Sequence, residues 1–129
     1  MMLVKSGDRV AHNMHPAPIR SKEFGMALAP NDRTDVKYVY DKAERLPVTF
    51  RYDLHPFMKA YHLTQDHPFM AITDDKGEFE IPSVPDGTHS FVIWHEVPGY
   101  LEQTFDVTVT AGKVTRLDLS YSPKRFGVK

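Results

Sequence analysis

Apolar residues along this chain alternate with polar ones at a period of two, and no segment carries an apolar stripe at helical spacing. The alternation predicts short β-strands over residues 2–5, 36–40, 47–54, 57–64, 69–73, 78–81, 88–95, 101–110 and 114–121. It is plainest in the last of these. Phe105, Val107 and Val109 fall on one face of 101–110, and Leu117, Leu119 and Tyr121 alternate with polar residues in 114–121. Turn residues separate the strands: Asp74-Asp75-Lys76-Gly77, the 82–87 loop with Pro85-Asp86-Gly87, and Ala111-Gly112-Lys113. The stretch 13–35, broken by Pro16, Pro18 and Pro30, reads as irregular with at most one helical turn near 21–28. Strands about ten residues apart with turns between them predict an all-β fold, an antiparallel sandwich with little helix. Phe50, Phe79, Phe91, Ile93, Phe105, Val107, Val109, Leu117 and Leu119 are its expected core.

Length and composition narrow the function classes. A chain of 129 residues with 41% hydrophobic content supports one ordinary domain with a core. Its formal charge of -1 lacks the basic excess of a nucleic-acid-binding domain. No apolar run approaches the ~20 residues of a transmembrane helix. With no cysteine, disulfides, thiolate metal sites and cysteine nucleophiles are all excluded. Serine-nucleophile motifs, phosphate-cradling glycine loops and the His-Glu-x-x-His zinc pattern do not occur either. The chain therefore reads as a non-enzyme.

Histidine and methionine are the remaining chemical supply. His12 on one segment and a His55-x-x-Met58 pair on another could meet at one end of a sandwich. Imidazoles with a thioether suit copper, Cu(I) above all. On spacing alone, the same residues read more readily as turn and core positions. His15 reads as an idle loop residue, His62 as a solvent-facing strand residue, and Trp94 as a core anchor. Asp74 and Asp75 belong to a plain β-turn, too short for a calcium loop.

A set of motifs runs in order through the chain: His12-Asn13, His55-Pro56-Phe57-Met58, His67-Pro68-Phe69, Thr73-Asp74, Gly77-Glu78-Phe79, Pro85-Asp86-Gly87 and Trp94-His95-Glu96. From Val10 to about Gly99 this order resembles bacterial cupredoxin-like proteins of the plastocyanin-like or methylamine-utilisation type. Residues 73–121 also resemble a carboxypeptidase regulatory-like element. The resemblance implies a Greek-key cupredoxin-like sandwich over 1–122 with a basic tail at 123–129. It carries His12, His55 and Met58 over as copper ligands and implies a periplasmic or extracellular location. It fails at one position, where Tyr52 stands in place of the copper-binding cysteine. A tyrosine hydroxyl, with its ordinary pKa near ~10, is a poor ligand at neutral pH and cannot replace a thiolate.

The expected function is that of a non-catalytic accessory or interaction subunit that has lost its blue-copper cysteine and holds no cofactor. The alternative is a copper carrier or chaperone with a colourless His12/His55/Met58 site. Similar proteins have further strands and a secretion signal before the segment matching 3–10. Either this sequence is a trimmed form, or its N-terminal edge is covered by a protein partner or a second copy.

Overall fold

The computed structural model describes residues 1–34 and 36–128. Asp35 and Lys129, the last residues of the expected irregular stretch and of the tail, lie outside the described residues. All regular pairing is antiparallel β, and the chain divides into two compact units, Met1–Pro68 and Phe69–Lys129.

Among its described residues the first unit holds six strands: β1 (Met2–Val4), β2 (His12–Ala17), β3 (Met26–Leu28), β4 (Val36–Tyr38), β5 (Val48–Tyr52) and β6 (Lys59–His62). β1 pairs with β4, and the other four form a sheet in the order β3-β2-β5-β6. Alternation assigns the faces. Val48 and Phe50 of β5 and His12, Met14 and Pro16 of β2 are buried, while Arg51, His15 and Ala17 are exposed. Met14, Val48 and Phe50 form the core, and Met2 and Val4 of β1 pack against it with Phe24, Met26, Tyr40 and Tyr52. Two sheets thus close over one apolar layer, which makes this unit an antiparallel sandwich. Each large side chain buried there contributes roughly 1.5–3 kcal/mol.

Two of these strands, β2 and β3, lie in the stretch expected to be irregular. The pattern was hidden because the buried positions of β2 are His12, Met14 and Pro16, none of them a β-former. Pro16 is tolerated for a topological reason. β3 pairs with residues 12–14 only, so opposite Phe50 the second side of β2 has no neighbour that needs its N–H.

The second unit holds a long ribbon of β7 (Gly87–His95) and β8 (Gly99–Val109), with register shifts between Phe91 and Trp94. Leu101 and Val107 are buried, whereas Phe91, Ile93, Phe105 and Val109 are half-buried. The expected strands at 69–73, 78–81 and 114–121 do not form regular pairs, and Phe79, Leu117 and Leu119 stay exposed. Alternation marks a residue pattern, but a strand also needs a partner for its backbone groups. The 74–77 turn does form: Gly77 N–H donates to the Asp74 carbonyl, and the Asp74 carboxylate accepts from the N–H groups of Lys76 and Glu78. The basic tail makes contacts of its own. Pro123–Phe126 makes a 3-10 turn closed by Gly127 at φ 75°, and Arg125 donates to the Leu101 carbonyl at 2.9 Å. No helix among the described residues is long and apolar enough to cross a membrane.

Candidate functional site

The loop that frames the sheet depends on one buried carboxylate. Glu44 is 1% exposed. Its oxygens accept from the backbone N–H groups of Ile19, Arg20 and Ser21 at 2.7–3.0 Å. Burial pushes the Glu44 carboxyl up, but these donors outweigh it and hold the group below its usual range. Its own backbone is tied to Thr64 and Gln65. The prolines of this stretch preclude a helix, and Glu44 supplies the hydrogen bonds that a helix or ladder would have made.

At one end of the four-stranded sheet, β2 begins and β5 ends side by side, with Met14 opposite Tyr52. This places His12, Tyr52 and His55 together. The His12 and His55 rings meet edge-on at 5.0 Å between centroids, and the Tyr52 ring lies 6.0 Å from His12. His12 is buried, and its Nε2 lies 2.7 Å from the Asp8 carboxylate. His55 Nε2 lies 3.3 Å from the Ala11 carbonyl oxygen. Both partners can only accept, so each imidazole donates from Nε2 and turns Nδ1 away from that contact. The His12 Nδ1 is buried with no hydrogen-bond partner. Such an atom has a desolvation cost that a ligand would relieve.

Met58 follows on the same turn, half-buried, with its N–H donating to the His55 carbonyl. Among the described residues no hydrogen bond joins its thioether to either ring, and no group of three or more His, Asp or Glu side chains is arranged to hold a metal. The structure thus brings His12, Tyr52 and His55 together, with the Asp8 carboxylate against His12, and leaves Met58 on the neighbouring turn. Asp8 was invisible to motif reasoning, although its spacing of four from His12 was a usable signal.

A second constellation occupies the outer face of the same sheet. His15, read as idle from sequence, is a β2 residue whose Nδ1 lies 2.6 Å from the Asp53 carboxylate. The pair borders a groove of about 370 Å³ lined also by Glu23, Phe24, Gly25 and Arg51. His62, read as solvent-facing, is half-buried. Its Nδ1 and the Tyr40 hydroxyl share a hydrogen bond of 3.1 Å, and its ring packs near Phe50. Burial lowers the His62 pKa and raises that of Tyr40 to about 12.

Residues 51–117, just over half of the chain, match a fibronectin-type-III-like family described as polysaccharide lyase family 4, domain II. No curated protein matches the chain, and no solved structure does. The comparisons identify neither a cupredoxin nor a carboxypeptidase regulatory-like protein. An all-β antiparallel fold together with this match leads to one assignment: the chain belongs to the family of polysaccharide lyase family 4, domain II.

Proposed function

We propose that the chain is a non-catalytic accessory domain, an interaction module that serves polysaccharide-processing machinery outside the cytoplasm. The observation that carries this reading is the match of residues 51–117 to a domain II of a polysaccharide lyase. The make-up of the chain agrees with it: there are no cysteine nucleophiles and no catalytic motifs. Among the described residues the β1–β4 sheet has two strands, so β1 offers a second edge where a protein partner or another copy could pair. The test is affinity electrophoresis of the purified chain in gels containing soluble polysaccharides, with the same polysaccharides assayed for new unsaturated or reducing ends. Retardation without bond cleavage is expected. Cleavage would make the chain an enzyme, and mobility unchanged in every polysaccharide would remove the reading.

A second reading, a copper carrier, is favoured by one specific observation, the orphaned Nδ1 of buried His12 beside the His55 ring. His12 and His55 would hold Cu(I), with Met58, three residues after His55, as the candidate thioether. Metal analysis of protein isolated without added metal, followed by Cu(I) titration of wild type and His12→Ala, tests it. One equivalent bound by wild type and lost in the variant supports the carrier. Equal uptake by both proteins would end that reading.

A further inference from the structure

Residues 114–121 carry a strand pattern that the fold leaves without a ladder. After the turn at 110–113, where the Lys113 N–H donates to the Thr110 carbonyl, the segment returns along β8. The Thr115 hydroxyl donates to the Thr108 carbonyl at 3.0 Å. Tyr121, its hydroxyl pKa raised by burial and by the Glu102 carboxylate, lies beside Glu102. The contacts move to earlier β8 residues as the chain advances, so the segment runs antiparallel to β8. Residues 114–120 are exposed throughout, with Leu117 at 38% and Leu119 at 40%. Among the described residues no hydrogen bond engages the backbone of 114–121, and neither Arg116 nor Asp118 enters an ion pair. A segment with open N–H and C=O groups and leucines on one face is a template for another strand.

The charges decide which strand fits. Arg116 stands one residue before Leu117 and Asp118 one residue after it, so opposite charges flank Leu117 symmetrically. Two copies paired antiparallel about a two-fold axis at Leu117 set Arg116 of each opposite Asp118 of the other. Leu117 then faces its own counterpart, and Leu119 faces Thr115. Neighbouring registers are worse. A slip of two residues one way sets Arg116 against Arg116, and a slip of two the other way sets Asp118 against Asp118. A slip of one puts the leucine face of one copy beside the charged face of the other. The chain's other segments with a strand pattern but no ladder match less well, since 69–73 carries no charge and 78–81 carries acids alone. One side of 114–121 faces β8 and the other faces the second copy, so the assembly closes at two.

We propose that the chain forms a two-fold dimer by pairing 114–121 of one copy with 114–121 of a second. Arg116 and Asp118 set the register, and Leu117 sits on the axis. One strand a side is a smaller contact than the roughly 800 Å² per partner of a standard interface, so the dimer is weak and dissociates on dilution. The contact does not depend on what the accessory domain binds, and neither β1 nor the His12/His55 pair is part of it.

A chain without cysteine makes the test direct. In this register the two copies of residue 117 lie opposite each other, at the ~4.5–5.5 Å Cα separation of an antiparallel pair, which a disulfide can bridge. The two copies of residue 119 are four residues out of register, about 14 Å apart along the strands, and beyond that reach. Under mild oxidation of the full chain, Leu117→Cys is expected to give a covalent dimer, and Leu119→Cys at least about tenfold less of it. Sedimentation equilibrium of wild type is expected to show a reversible dimer at about 10–100 μM. Asp118→Arg, an exposed change, sets like charges opposite each other twice and is expected to weaken the dimer about tenfold or more. Adding Arg116→Asp in the same chain restores opposite charges and is expected to restore the dimer. A strict monomer up to about 1 mM would overturn the proposal. So would equal cross-linking of the two cysteine variants, a dimer unchanged in Asp118→Arg, or no rescue by the double change. A wild-type dimer with no cross-link in Leu117→Cys would move the contact to another edge, such as β1, and would overturn it equally.

Discussion

Removing the Glu44 carboxylate should unfold the first unit more readily than any other single polar change. The group is buried and accepts from the N–H groups of Ile19, Arg20 and Ser21. In Glu44→Ala those donors lose their acceptor, and the Ser21 bond, the buried one, cannot be replaced by water without opening the loop. Each hydrogen bond to a charged group is worth about 1.5–3 kcal/mol, and part of the loss is regained where the Ile19 and Arg20 donors hydrate. A net destabilisation of about 3–5 kcal/mol follows, a large share of the ~5–15 kcal/mol that holds a domain together. Glu44→Gln keeps the shape but turns one acceptor into a donor facing N–H groups, and should cost about 2 kcal/mol. Urea unfolding followed by circular dichroism measures both. The pH dependence is a separate check. The folded carboxyl lies below its usual range, so its contribution is present above the unfolded value of about 4.3 and lost as pH falls through the folded one. The gap between wild type and Glu44→Gln should therefore be constant near neutrality and close in acid. A Glu44→Ala protein within about 1 kcal/mol of wild type at pH 7 would refute the account of this loop.

Other outcomes follow from the same structure. His62, lowered by burial, should contribute stability that is present above the unfolded imidazole value near ~6.5 and lost as pH falls toward the folded one. A His62→Phe variant should flatten the unfolding midpoint between pH 7 and 5, and an unchanged slope would deny His62 that role. Phe50→Ala, emptying the centre of the sandwich, should cost about 3–5 kcal/mol in denaturant unfolding. Tyr52→Cys, with its ring now 6.0 Å from His12, should give an intense visible absorption with Cu(II) that disappears when His55 is also removed. A colourless Tyr52→Cys protein would show that the two imidazoles do not form a copper site with that position.

The all-β character of the chain, the positions of β1, β4, β5, β6, β7 and β8, and the 74–77 turn were legible in sequence. Each of these rests on alternation or on turn chemistry, which are local properties. Tertiary structure decided the rest. His12, Met14 and Pro16 form a central strand because neighbouring strands satisfy its backbone and the core takes those side chains, and neither condition is written in the segment itself. Residues 114–121 alternate as cleanly as β8, yet they form no regular strand, because a ladder needs a partner as well as a pattern. Glu44 lies in the charged run 41–45, and only the approach of 19–21 makes it the anchor of a loop. The closeness of His12 to Tyr52 and His55 depends on strand register. A shift of one residue would turn those side chains to the opposite face, so no reading of β2 or β5 alone could have placed them together.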